Sequence, residues 1–354
     1  MNRSKRLRQG RSRTPGPATA GLLAAALQTA AFSPCSATPD TLYHEARPAM
    51  GTTVEVYLYA PNSVRAAELL EAAFEEIERV EAALSNYRPT SEISRINATA
   101  AAAPVTTDPE VFGLIERTLD YSRRTEGAFD VTVGPLVKAW GFFDGTGRYP
   151  SDDALADARV RSGWTNVELD QTARSVRFLT PGLELDLGAI GKGWALDCAA
   201  ETLRRHGVSA ALLGAGQSTY YAIGTPPDED GWPIRVSDPR DTARTLSTAL
   251  LRDQALSTSG SSEQSFELGA RTYSHIIDPR TGHPVAGMAQ VTVTAPTATD
   301  SDALSTAVFV LGPKHGAELL GEVPETAALL VMETATEAAV LVLDWPEHLV
   351  THSN

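Results

Sequence analysis

The chain has 354 residues, 42% of them apolar and 21% charged, which is ample for a buried core and ordinary for a globular protein. Its net charge of −14 is unevenly spread: residues 1–37 hold six Lys/Arg and no acid, leaving 24 basic against 44 acidic residues beyond them. A body this acidic excludes broad binding to nucleic acid or anionic membrane, which needs basic patches, so a cationic site for phosphates has to be local.

Residues 1–37 read as an export leader: basic as far as Arg13, moderately apolar from Ala18 to Phe32, then small residues with a cleavage point after Ala37. The apolar run is too short to span a bilayer reliably. Cys35 would make this a lipoprotein leader, although Phe32-Ser33-Pro34 matches the usual Leu-small-small pattern poorly. The expected location is the periplasm or the outer face of the cytoplasmic membrane, with a lipid anchor at Cys35 as the weaker variant. If Cys35 is removed or lipidated, only Cys198 remains, so no intramolecular disulfide is expected.

Beyond the leader, Thr53–Ala60 alternates as a strand, and Val64–Leu84 reads as a helix with Leu69, Leu70, Ala73, Ile77, Val80 and Leu84 on one face. Asn86–Asn97 reads as a loop, and Asp108 caps a helix running toward Arg123. Short strands follow at Val167–Leu169, Ser175–Phe178 and Leu183–Leu187. A helix over Ala189–His206 is stopped by Gly207, and Cys198 within it reads as a small buried hydrophobe. Ala210–Leu213, Thr219–Ile223, Ile234–Val236, Thr245–Leu250 and Gln290–Thr294 are strand candidates. Helices over Ser301–Leu311 and His315–Leu320 precede strands at Ala327–Met332 and Ala338–Val342. Without regular βαβ alternation or an internal repeat, the fold class is α+β, with mixed sheets and packed helices, and residues 45–345 form a single domain.

Three stretches carry chemistry. In Ser301-Asp302-Ala303-Leu304-Ser305-Thr306, a helix would place Asp302, Ser305 and Thr306 at i, i+3 and i+4, so their oxygens share one face. Such hard oxygen ligands suit Mg2+, while a helix-start Asp or Ser also serves as a simple cap. Leu185-Asp186-Leu187-Gly188-Ala189-Ile190-Gly191-Lys192-Gly193 reads as a strand end and a Gly-rich turn opening a helix. That turn is either a tight structural corner or a phosphate cradle with Lys192 as its point charge. His275, just before Asp278-Pro279-Arg280-Thr281-Gly282, is the best general-base candidate among the seven histidines, with His283 next.

Taken in order, Met50-Gly51-Thr52, Ser85–Asn97, Gly127-Ala128-Phe129-Asp130-Val131-Thr132, Asp186–Asp197, Thr258-Ser259-Gly260, His275–Gly282 and Asp302–Ala307 closely resemble the FAD:protein FMN transferase (ApbE) family over about residues 45–315. The resemblance implies a T-fold-related catalytic domain that moves FMN from FAD to a Ser or Thr hydroxyl of an acceptor flavoprotein and releases AMP. It implies FAD contacts from Met50, Tyr87, Ala128, Phe129, Asp130, Asp186, Lys192 and Ile276. It also implies Mg2+ held by the backbone oxygen of Ala189 with Asp302, Ser305 and Thr306, and His275 as the residue that activates the acceptor hydroxyl. The acceptor would be an exported or membrane-bound electron-transfer protein, with no nucleic-acid partner. Tyr87, Phe129 and Trp140 are flat side chains able to cover a flavin or adenine ring, and each also suits a core.

The departures are local. Ser305 stands where relatives often carry aspartate, Ala215-Gly216 replaces a Gly-Gly pair, and Ser261-Ser262 replaces an acidic or amide residue and an aromatic. Two other readings use the same residues. A metal-dependent FAD pyrophosphatase would give FMN and AMP with water as nucleophile, and a non-catalytic FAD-binding protein would leave FAD intact.

Overall fold

The computed structural model describes residues 40–262, 264–269, 271–333 and 339–345. The predicted leader, its cleavage point and Cys35 lie outside the described residues. The chain opens with a hairpin, β1 (Thr41–Ala49) and β2 (Thr52–Ala60), paired through Ala49 and Thr52. Its two turn residues, Met50 and Gly51, have φ of 53° and 71°. A two-residue turn with both centres at positive φ matches the twist of the flanking strands. Gly51 adopts it freely, whereas Met50 adopts it against its steric preference and is held there by its N–H donating to Glu81 Oε2 at 3.1 Å.

Helix α1 (Ser63–Leu84) begins at Asn62, whose side chain accepts from the Arg65 N–H, and buries the predicted apolar face together with Ala66 and Phe74. Then come α2 (Glu92–Thr99), β3 (Val105–Thr106), α3 (Pro109–Arg124), α4 (Gly134–Ala139), α5 (Asp152–Val160), β4 (Val167–Asp170) and β5 (Ser175–Phe178). Helix α6 (Gly191–Arg205) leads to β6 (Ala211–Ala215), β7 (Thr219–Ile223), β8 (Trp232–Asp238), β9 (Asp241–Leu251) and β10 (Ala255–Gly260). The chain continues through β11 (Ser265–Leu268), β12 (Arg271–Ser274), β13 (Ile277–Asp278), β14 (His283–Pro284) and β15 (Met288–Ala295). It closes with α7 (Ala298–Leu320), β16 (Ala327–Met332) and β17 (Ala339–Leu343).

Eight strands form one sheet in the order β1-β2-β6-β7-β10-β15-β16-β17, with each neighbour antiparallel. Helices α1, α6 and α7 cover one face. There Val54, Val56 and Leu213 meet Ile77 and Leu196, and Val291 and Val293 join a core with Leu304 and Val308. The β8–β9 hairpin covers the other face through Trp232, Ile234 and Leu251 against Leu256, Leu329 and Val331. Because both faces are covered, β15 is buried along its whole length rather than alternating. The predicted α+β class holds.

Three local expectations change. The loop expected over Asn86–Asn97 contains the start of α2, where the Ser91 side chain caps the Ser94 N–H and Ile93 and Ile96 are buried one turn apart. Leu183–Leu187 pairs with no strand among the described residues. The Asn97 side chain accepts from Leu185 N–H at 2.8 Å and donates to Leu185 O at 2.9 Å, so a side-chain amide does the work of a neighbouring strand. Helix α7 starts one turn before the expected Ser301, because Thr297 caps the Asp300 N–H. Its break falls at Gly312 (φ 73°) and Pro313, which separates the two helices read in the sequence. Cys198 is half-buried, and burial pushes its thiol up to about 12, in keeping with an unreactive packing residue.

Helices α6 and α7 meet at Gly193. A Cβ there would lie 2.1 Å from the Ala298 carbonyl oxygen and 2.8 Å from the Thr299 nitrogen, so the contact requires glycine. Gly193→Ala is expected to cost about 3 kcal/mol of stability, in the upper range of overpacking. Gly113→Ala, inside α3 with open space around the added methyl, should gain about 0.5–1 kcal/mol. Urea unfolding of the two variants checks both, and equal midpoints would refute the contact.

Candidate functional site

The site forms where the Gly-rich turn enters α6 and the second turn of α7 lies across it. Asp186 donates its N–H to Val131 O at 2.6 Å, and its carboxylate accepts from Gly188 N–H at 2.9 Å, which shapes the turn. Burial pushes the Asp186 carboxyl above the usual carboxylate range, against the stabilising bonds from Gly188 and Asn86. Gly191 and Ile190 then donate to Leu187 O, and α6 begins with no side-chain cap of its own.

That missing cap is supplied by α7. Asp302, 5% exposed, accepts from Gly193 N–H through Oδ2 at 3.0 Å. Its other oxygen, Oδ1, lies 3.8 Å from Lys192 Nζ and accepts from Thr219 Oγ1 at 3.4 Å. Since α7 starts at Ala298, Asp302 sits in the second turn and does not cap its own helix. Of the two roles open in the sequence, capping its own helix falls away.

Three further hydroxyls cluster beside it. Ser305 Oγ donates to the Asp302 carbonyl at 2.9 Å and lies 2.9 Å from Ser259 Oγ, which is 3.2 Å from Thr306 Oγ1. Ser259 and Ser257 share one face of β10, and Ser257 pairs across the ladder with Thr219. Ser257 Oγ is fully buried and has no hydrogen-bond partner among the described residues. A buried carboxylate with one loosely engaged oxygen, beside clustered hydroxyls and an orphaned one, is a donor set that fits a hard divalent cation. Ala189 is half-buried in the turn that leads into the same helix start.

His275 stands at the end of the β11–β12 hairpin. Its backbone N–H and its ring Nδ1 both meet Gln264 O at 3.0 Å. A carbonyl only accepts, so Nδ1 carries the proton and Nε2 keeps its lone pair. Burial lowers the imidazole pKa from its ordinary 6.5, and the nearby Lys192 ammonium lowers it further, against the Gln264 bond. The ring is therefore a neutral base at pH 7.

The remaining predicted residues divide. Tyr87 is 71% exposed and stacks on Phe143 with ring centres 4.7 Å apart, leaving a flat aromatic surface open. Desolvation and the Asp186 charge raise its phenol pKa. Met50 packs against the start of α6, its Cε 3.6 Å from where a Gly191 Cβ would be. By contrast Ala128, Phe129 and Ile276 point into the core, so their side chains are packing groups. Asp130 is also turned inward. Its carboxylate accepts from Thr132 N–H (2.8 Å), Thr132 Oγ1 (2.7 Å) and Trp164 N–H (2.8 Å), which leaves it a structural staple. Trp140 is fully buried and donates Nε1–H to Gly282 O at 2.8 Å, so it is core rather than a ring cover.

Ser259, Thr219 and Asn97 were not singled out in the sequence as site residues. Ser259 and Asn97 lie inside motifs of the family resemblance, but Ala255–Gly260 lacks the apolar–polar alternation that marks a strand. Thr219 and Asn97 reach their partners only through contacts across the fold.

The model of the ApbE family matches residues 50–330. An "FAD:protein FMN transferase" of Treponema pallidum (strain Nichols) is 33% identical, covering 82% of this chain and 84% of its own. One from Klebsiella pneumoniae (strain 342) is also 33% identical, covering 85% and 91%. Among solved structures, the ApbE protein of Thermotoga maritima superposes with a TM-score of 0.77 at 31% identity, covering 86% of this chain and 97% of its own. The apo flavinyl transferase ApbE of Pseudomonas stutzeri has the same TM-score at 29% identity, covering 87% and 96%.

A group with a depressed folded pKa gives stability that is present above its unfolded pKa and lost as pH falls through the folded value. For His275 that loss begins below 6.5, on the acid side of neutrality. An NMR titration of its ring should give a midpoint below 6.5, and Lys192→Met should raise it. A midpoint above 6.5, or no response to the substitution, would contradict the environment described.

Proposed function

The chain belongs to the ApbE family, and from that premise we propose that it moves FMN from FAD to a Ser or Thr hydroxyl of an acceptor flavoprotein with the help of Mg2+, releasing AMP. One observation carries the reading. A buried carboxylate, Asp302, is held over the start of a helix beside an ammonium and three hydroxyls, near a neutral imidazole whose Nε2 has no hydrogen-bond partner among the described residues.

Asp302, Ser305 and Thr306, with the Ala189 carbonyl, are the groups that would hold Mg2+. When bound, the ion offsets charge that develops on the pyrophosphate oxygens. The start of α6 presents N–H groups and the positive end of its dipole to a phosphate oxygen, and Lys192 adds a full charge. The Tyr87 face, open to solvent, gives a flat ring a surface to stack on. His275 Nε2 takes the proton as the acceptor oxygen bonds to the FMN phosphorus, and the bond from that phosphorus to the bridging oxygen breaks. AMP leaves with that oxygen. The basic and then apolar run before Ala37 supports export, and with it an exported or membrane-bound electron-transfer acceptor.

The test mixes the purified protein with FAD, Mg2+ and a candidate acceptor domain and follows acceptor mass together with AMP. The acceptor should gain one FMN-phosphoryl mass per AMP. Asp302→Ala should slow this by about 10³-fold or more, and His275→Ala by about 10²–10⁴-fold, the usual worth of a general base. AMP and free FMN with an unmodified acceptor would favour the pyrophosphatase, and intact bound FAD would favour a binding protein.

A further inference from the structure

Asp197 is a buried carboxylate that the chemistry above does not use. It lies on α6 one turn beyond Gly193, on the same face, and reaches the first turn of α7. Its Oδ1 accepts from Ala298 N–H at 2.8 Å, and its Oδ2 accepts from Thr299 N–H at 2.8 Å and Thr299 Oγ1 at 2.5 Å. Burial raises its pKa, and these three bonds work against that rise.

The two helices thus cap each other. Asp302 of α7 takes an N–H at the start of α6, and Asp197 of α6 takes two at the start of α7. Within each helix the donor and acceptor positions lie four residues apart (Gly193 and Asp197, Ala298 and Asp302), so both bonds form on facing surfaces. Together the two bonds tie the first turn of each helix to the other, beside the close approach of Gly193 to Ala298. A second anchor, Asp300 with Arg117, Tyr121 and Thr297, ties α7 to α3 rather than to α6.

We propose that Asp197 is a positioning residue for the metal site: by fixing the first turn of α7 on α6 it sets where Asp302 Oδ1, Ser305 and Thr306 stand relative to Lys192 and the phosphate-facing helix start. The inference rests on the functional reading above. In Asp197→Asn an amide N–H₂ replaces one acceptor and faces an N–H donor, so one arm of the clamp is repelled while size is kept. Thr299→Val removes only the hydroxyl arm, and Thr299→Ser keeps it.

The experiment measures Mn2+ binding to the full chain by loss of the free-ion EPR signal, with thermal melting of each variant alongside. Asp197→Asn should weaken Mn2+ binding about tenfold or more among folded molecules. Thr299→Val should weaken it about threefold, and Thr299→Ser should restore it. The half-saturating Mg2+ for FAD turnover should rise in parallel while the rate at saturating Mg2+ changes less. If Asp197→Asn does not fold, Thr299→Val carries the test. Variants that melt earlier but bind Mn2+ within twofold of the parent would overturn the proposal and make Asp197 a stability residue only. If Asp302→Ala binds Mn2+ as well as the parent does, the functional reading of the site fails, and this inference fails with it.

Discussion

The arrangement depends on the junction of α6 and α7, where each helix end is completed by a carboxylate from the other. Helix N-termini leave N–H groups without intrahelical partners, and burying them unpaired is costly. Here α6 has no side-chain cap of its own, and the acceptor it needs comes from Asp302. That requirement fixes Asp302 in space before any ligand is considered. Gly193 allows the approach, because any side chain there would collide with the Ala298 carbonyl.

The sheet then determines what faces Asp302. Strands β7 and β10 are neighbours in antiparallel register, so Thr219, Ser257 and Ser259 present their hydroxyls on the face that α7 crosses. A polar floor beneath an otherwise apolar helix is costly unless it is satisfied. Thr219 is satisfied by Asp302, and Ser259 by Ser305 and Thr306, whereas Ser257 has no partner among the described residues. The same elements that stabilise the junction thus gather oxygen donors at one point, with Lys192 and His275 at its edge.

Much of this was legible in the sequence where periodicity was strong. The helical face from Leu69 to Leu84 and the strands on either side of α6 follow from spacing alone. Asp302, Ser305 and Thr306 fall on one face because helix geometry leaves no other choice. What escaped was set by tertiary partners. The alternation over Leu183–Leu187 reads as a strand, yet the Leu185 backbone bonds the Asn97 side chain and the Asp186 N–H bonds Val131 O, so no ladder forms there among the described residues. Helix α2 was hidden in a short polar stretch with only Ile93 and Ile96 to mark it. For Ala128, Phe129 and Ile276 the side chains are buried in the core, and the Asp130 carboxylate bonds Thr132 and Trp164, so any contact of Ala128, Phe129 or Ile276 with a ligand falls to their backbone. A motif shows that a residue is near a site, but not which way its side chain turns.

The central claim is that the α6–α7 junction builds one cation site around the loosely held oxygen of Asp302. Anomalous diffraction from crystals soaked in Mn2+ and FAD tests it most directly. The account predicts a peak at about 2.0–2.2 Å from Asp302 Oδ1, within reach of Thr306 and of the FAD pyrophosphate. A peak elsewhere, with Asp302 still bonded only to Gly193, Lys192 and Thr219, would contradict it.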